Sequence, residues 1–189
     1  MTHVGPLLVA VDLQAEVGRR VRRSQLRLPS NCQPWTVGEV LSHSIGVTLK
    51  FAEFARGDTD QPHAPQGDLL GSDHVASLRR AAEVARTAWA SADMDRRCCL
   101  PFGCFSADEA AGINLFDVLA HTWDVTSVTG VPLECADELW EASLDAALAV
   151  IGPARDVAHY GAPLACSPTD GPEARFLSFL GRDPRAPAT

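Results

Sequence analysis

Two short strings constrain this chain more than anything else in it: Thr36-Val37-Gly38-Glu39 and Ser106-Ala107-Asp108-Glu109, each opening a long apolar-periodic stretch. In each, a hydroxyl residue precedes a glutamate at the spacing where both side chains satisfy the other's backbone N–H at a helix start. Trp35 ahead of the first box and Val40 inside it can form a hydrophobic staple. The first box predicts a helix to about Ala55, ending near Gly57. The second predicts a helix to about Val128, stopped by Gly130 and then Pro132, the usual order of C-terminal signals.

Apolar periodicity fills in the rest. Leu7, Ala10, Gln14, Val17 and Val21 recur at three- and four-residue steps, so a helix is expected from about Leu7 to Arg23, with only Gln14 breaking the stripe. Arg19, Arg20, Arg22, Arg23 and Arg27 would then form its solvated face and basic last turn. Val75, Leu78, Ala82, Ala85 and Trp89 predict a third long helix over 72–92, and further helices are expected over 136–151 and 173–180. Residues 59–71 are rich in Pro, Gly, Asp and Gln and form a loop; 98–105, with Pro101 and Gly103, is irregular or weakly extended. Val157 and Ala158 are the remaining candidates for strand. The expected fold is all-α: an antiparallel four-helix bundle, with an additional C-terminal helix and a loop-rich tail outside it, forming one domain over 1–189.

Charge and composition exclude several functions. A net charge of -8 does not suit a nucleic-acid surface. No signal peptide is visible and no apolar run approaches the ~20 residues that span a bilayer, so a cytoplasmic protein without membrane contact is expected. In that reducing compartment Cys32, Cys98, Cys99, Cys104, Cys135 and Cys166 should be free thiols, and Cys98, Cys99 and Cys104 lack the CxxC spacing of a zinc site.

Chemistry enters with Asp117 and His121. Four residues apart on the fourth long helix, they share one face and can converge on one ion. The residues around them, Phe116, Val118, Leu119, Ala120 and Trp123, are apolar, and a buried carboxylate and imidazole need partners. His43 stands on the inward stripe of the second helix, between Val40 and Val47. Together the three form a candidate facial set for a divalent metal, with positions left open for water or substrate. Zinc is the first choice, with nickel, iron and manganese open. Asp124, three residues past His121, is a candidate orienter fixing the tautomer of an imidazole. Trp35 and Trp123 are expected in the core, and Arg182 with Asp183 as an ion pair docking the tail. His63, His74 and His159 read as surface histidines, His159 beside Tyr160 being within reach of a pocket mouth. Cys32 and Cys104 are the thiols considered as nucleophiles, though the sequence supplies neither with a paired base.

Three ordered blocks carry a resemblance. The string Cys32-Gln33-Pro34-Trp35-Thr36-Val37, continuing to Leu41-Ser42-His43, resembles the opening of the DinB-like metal-binding superfamily. More narrowly, it is similar to the mycothiol-dependent maleylpyruvate isomerase N-terminal family of actinobacteria. Asp117-Val-Leu-Ala-His121-Thr-Trp123-Asp124, followed by Thr129-Gly130, resembles that family's second segment; Phe176-Leu-Ser-Phe-Leu-Gly181-Arg182-Asp183-Pro184 resembles its terminal motif. The resemblance implies a DinB-type bundle with metal ligands at His43, Asp117 and His121. It also implies a metal-dependent thiol transferase or isomerase that acts on a small electrophile, with mycothiol as co-substrate. A monomer or a homodimer is expected, the sequence not choosing between them. A non-catalytic metal-binding protein, and a tailoring hydrolase, cyclase or epimerase on the same scaffold, are the alternatives. Two departures stand out. Ser44 follows His43 where relatives carry leucine, a change expected to polarise the pocket. The sequence given also stops at Thr189 without the second domain those isomerases append, so maleylpyruvate itself is not the expected substrate.

Overall fold

The computed structural model describes residues 2–58, 67–100, 103–152 and 161–184. The helices are α1 (Val4–Arg20), α2 (Val37–Arg56), α3 (His74–Trp89), α4 (Ala107–Thr129), α5 (Asp137–Ile151) and α6 (Pro172–Phe179). Both capping boxes form as their sequences require. Thr36 N and Oγ1 donate to Glu39 Oε2 at 2.7 and 2.8 Å, and Ser106 N and Oγ do the same to Glu109 at 2.7 and 2.9 Å. Left-handed glycines end α2 at Gly57 (φ 116) and α4 at Gly130 (φ 70), a conformation that disfavours a Cβ. Replacing Thr36 with alanine should cost about 1 kcal/mol in chemical denaturation, because the Glu39 N–H loses its acceptor.

The bundle is a ring of four. α1 and α2 each pack against both α3 and α4, while α5 lies on the outer side of α4 and α6 on α5. α4 is therefore wrapped on most of its circumference, with Leu115, Val118, Leu119 and Val125 fully buried. The fold expected from the periodicities is the fold observed, and among the described residues no helix is long and apolar enough to cross a membrane.

Four details differ from the sequence reading. α1 starts earlier and stops at Arg20; Val21 is extended and a 3₁₀ turn follows over Arg23–Arg27. Gln25 drives that break: its carbonyl oxygen accepts from Arg22 N at 2.9 Å while its amide donates to Thr129 O at the end of α4 at 2.8 Å. Arg22, Arg23 and Arg27 thus lie outside the helix, and only Arg19 and Arg20 remain on its last turn, paired with Glu16 at 2.7 and 3.0 Å. α3 is shorter than 72–92 because Asp73 caps it, accepting from Ala76 N at 3.0 Å.

The stretch read as irregular or weakly extended is an antiparallel hairpin, β1 (Arg97–Leu100) with β2 (Gly103–Ser106). Its register sets Cys99 opposite Cys104, and the two form a disulfide. The expectation of six free thiols is corrected there: sequence spacing alone does not reveal that a hairpin brings residues five apart face to face. Finally, Gln14 is no defect in the α1 stripe. Its amide donates to Ser44 Oγ at 2.9 Å and Thr122 Oγ1 at 3.2 Å, so it ties α1 to α2 and α4 inside the bundle. Val157 and Ala158 lie outside the described residues.

Candidate metal centre

α2 and α4 are packed neighbours, and their inward faces decide what meets between them. His43 projects from the middle of α2; Asp117 and His121 project from adjacent turns of α4. Asp117 Oδ1 lies 3.6 Å from His43 Nε2 and 3.6 Å from His121 Nε2, and the three donor atoms all fall within 4.8 Å of one another. A separation of 3.6 Å is too long for a good hydrogen bond. It is close to the roughly 3.4 Å between two ligands at 2.0–2.1 Å from one tetrahedral ion. Asp117 Oδ2 is buried and has no hydrogen-bond partner among the described residues. A buried carboxylate with one oxygen unpaired is costly, and a cation held at Oδ1 and shared with the two imidazoles would neutralise its charge. The donor set therefore fits a divalent metal, and these three residues could hold one.

Electrostatics follow from the same contacts. Burial works against a charged His43, but the Asp117 carboxylate outweighs it and holds the imidazole above its ordinary value. Burial likewise works against the Asp117 carboxylate; the charges of His121 and His43 overcome it and hold the acid below the usual range.

Behind His121 stands a second layer. Asp124 Oδ2 lies 2.9 Å from His121 Nδ1, the geometry in which an Nδ1–H donates to the carboxylate. Asp124 is completely buried, and burial's penalty on its charge is more than offset by the Arg182 guanidinium, which keeps the acid far below the carboxylate range. Arg182 donates to it twice, Nε to Oδ1 at 2.9 Å and Nη2 to Oδ2 at 2.8 Å. The tail is docked by an ion pair, as expected, but Arg182 forms it with Asp124: the buried carboxylate on α4 is the group that requires a cation. Cys32 also faces this layer, its thiol donating to Asp124 Oδ2 at 3.0 Å and lying 3.7 Å from His121 Nδ1. Burial and then the neighbouring Asp124 charge push that thiol up to about 12, so it stays protonated and serves as a donor, not a nucleophile. Cys104 is held in the hairpin disulfide.

The loop before α2 supplies the wall. Ser30 Oγ donates to Trp35 O at 2.7 Å and accepts from Cys32 N at 3.1 Å, closing the loop into a tight turn that presents both Cys32 and Trp35. Trp35 is not simply core: its ring lies 4.8 Å from that of His43 and 6.4 Å from that of His121. Trp35 and His43 line one side of a cavity of about 470 Å³, bounded also by Ser42, Asp68 and Leu70. Ser42 and Asp68 spend their polar atoms on the 67–71 loop, Ser42 Oγ accepting from Leu69 N at 2.9 Å and Asp68 Oδ1 from Leu70 N at 2.9 Å. Ser44 does not polarise the cavity; it is wholly buried on the α1 side with Gln14, since the next residue of a helix turns about 100° away. His74 Nε2 lies 3.1 Å from Val21 O, a structural link, while His63, His159 and Tyr160 fall outside the described residues.

The structure brings together His43, Asp117, His121 and Asp124, the residues singled out from the sequence. Cys32, weighed there as a nucleophile, joins the cluster as a thiol donor, while Trp35, expected in the core, and Arg182, expected to pair with Asp183, join it unforeseen, although all three lie inside the blocks singled out for resemblance. An all-helical bundle with a carboxylate and two imidazoles converging between two of its helices is a recognisable class of protein. A family model for the mycothiol maleylpyruvate isomerase N-terminal domain matches residues 9–126, which contain all three donors and Asp124. Two uncharacterized proteins of Mycobacterium tuberculosis, from strains H37Rv and CDC 1551, are each 30% identical over 181 residues, covering 93% of this chain and 95% of theirs. No solved structure gives a significant match. The chain belongs to the mycothiol maleylpyruvate isomerase N-terminal domain family.

Proposed function

We propose that this protein is a divalent-metal-dependent enzyme of thiol-transfer or isomerisation type, with His43, Asp117 and His121 as the metal ligands. The observation that carries the reading is the three-donor cluster with a bare carboxylate oxygen, sharing His43 with the wall of a cavity of small-molecule size. Membership of a family described by mycothiol favours a low-molecular-weight thiol as co-substrate, with zinc the first choice of metal.

A divalent cation held by His43, Asp117 and His121 would lower the pKa of a thiol or water beside it and so would supply an anionic nucleophile at neutral pH. The protein's own contributions are distinct. Asp117 and two neutral imidazoles bring a single negative charge, which leaves a divalent centre net positive and receptive to an anion. Asp124 holds a proton on His121 Nδ1, so that Nε2 presents its lone pair. Trp35 covers His43 and shields it from bulk water on that side.

The test is metal analysis of the purified protein, followed by assay of thiol conjugation to a chlorodinitrobenzene electrophile with mycothiol, with and without zinc or cobalt. Metal-dependent conjugation is the expected result. Metal-dependent hydrolysis without thiol would favour the water-activating alternative, and a protein that takes up no metal would end the proposal.

A pH dependence follows from His43. Because Asp117 holds this imidazole above the ordinary value near 6.5, its proton competes with metal for Nε2 at a higher pH than a free histidine's would. Cobalt or zinc affinity should fall about tenfold for each pH unit below the raised His43 value, from a point above about 6.5. An affinity that stays flat between pH 8 and 6 would contradict that competition.

A further inference from the structure

Arg182 reaches the centre from the far end of the chain. Its backbone is fixed by the turn that ends α6: Gly181 sits at φ 78, and Arg182 N donates to Leu177 O at 2.9 Å. Leu177, on the same turn, is fully buried. From this anchored position the guanidinium meets both oxygens of Asp124, a planar fork on a planar carboxylate. Its Nη2 lies 3.7 Å from Cys32 Sγ as well.

The geometry leaves Asp124 little freedom. Oδ1 takes the Arg182 Nε, while Oδ2 faces Arg182 Nη2, His121 Nδ1 and Cys32 Sγ at 2.8, 2.9 and 3.0 Å. A carboxylate with two oxygens can turn about its own axis unless something holds both of them, and here the fork does. With rotation stopped, Oδ2 remains an acceptor opposite His121 Nδ1. A neutral imidazole carries one ring proton; keeping it on Nδ1 is what leaves Nε2, on the opposite side of the ring, able to face Asp117 Oδ1 as a ligand.

We propose that Arg182 is a positioning residue for the metal centre: its fork locks Asp124 in the orientation that keeps the His121 proton on Nδ1 and leaves Nε2 free for the cation. The C-terminal segment is thereby part of the site, although it contributes no ligand. The role toward the cation rests on the metal reading above; the role toward the His121 tautomer does not.

Two readouts test this on the full chain. The first is the ¹⁵N signals of the His121 ring in metal-free protein at a pH where the imidazole is neutral. The second is zinc and cobalt affinity. In the wild type the proton should sit on Nδ1. In Arg182→Ala a share of the Nε2–H tautomer should emerge and affinity should weaken about 10- to 100-fold. Arg182→Lys keeps the charge but not the fork, and should fall between. Asp124→Ala and the double variant Asp124→Ala/Arg182→Ala should agree within about twofold, since Arg182 acts only through Asp124.

If Arg182→Ala leaves a buried carboxylate that does not fold, Arg182→Lys and the double variant carry the same comparison. A folded Arg182→Ala or Arg182→Lys protein with unchanged tautomer and affinity would overturn the proposal, as would a double variant clearly weaker than Asp124→Ala. A wild-type chain that binds neither ion would sink the metal reading instead, while the ring signals would still decide the tautomer.

Discussion

His43→Ala protein is expected to lose at least about 100-fold in metal affinity, and with it any metal-dependent thiol conjugation, while its circular-dichroism spectrum remains that of the wild type. Structural zinc sites in proteins are worth about 10–16 kcal/mol across their ligands, so one ligand of three is worth at least about 3 kcal/mol. Little else rests on this imidazole. It sits at the edge of the cavity, not in the packed interior, and the core around α2 is carried by Val40, Leu41, Ile45 and Phe51, all nearly inaccessible. The bundle should therefore survive the substitution. Competition titration of zinc or cobalt is the measurement; a variant that binds metal as the wild type does would remove His43 from the ligand set.

Phe176→Ala is expected to cost about 3–5 kcal/mol, a large part of the roughly 5–15 kcal/mol that holds a typical domain together. Phe176 is fully buried on α6, and its ring lies 5.6 Å from that of Trp140 on α5. Truncation leaves a cavity between two helices whose backbones are fixed by their other contacts, so collapse cannot fill it. For a chain of this size the melting temperature should drop by about 6–20 °C. Because α6 also carries the turn that aims Arg182 at Asp124, metal affinity should weaken together with stability, whereas a substitution of similar size far from α6 should leave affinity alone. A melting temperature within about 2 °C of the wild type would mean that the helix docks by other contacts.

How much of this was legible beforehand differs from element to element. The helices were readable because their signals are local: a capping box is completed within four residues, and an amphipathic stripe repeats within one turn. Asp117 and His121 were readable as a pair for the same reason. His43 was readable as an imidazole on the inward stripe of a second helix, enough to make it a candidate third donor, and the ordered family blocks then fell on the same three residues. Asp124 could be suspected from helical spacing alone. Arg182 could not be assigned its partner, because it lies 58 positions along the chain from Asp124 and no periodicity links the two. Trp35 and Cys32 were obscured because their positions depend on a turn made by Ser30, whose hydroxyl bonds have no sequence signature strong enough to predict.

The hairpin and its disulfide were missed for a related reason. Two four-residue strands, the second opening on Gly103, carry too little alternation to register as more than weakly extended chain, and without the register Cys99 and Cys104 are merely two thiols near each other in the sequence.

What the amino-acid order determined by itself is the set of helices, their inward faces and the presence of an acid and two imidazoles on two of those faces. These follow from backbone hydrogen bonding and burial, which act over a few residues. Only the tertiary structure decided that α2 and α4 are adjacent at the heights that bring those groups within 4.8 Å, that one carboxylate oxygen is left bare, and that a cation from the C-terminal turn fastens the support behind His121. Side-chain meetings of that kind depend on how whole helices pack, an outcome of the entire core that no short stretch of sequence encodes.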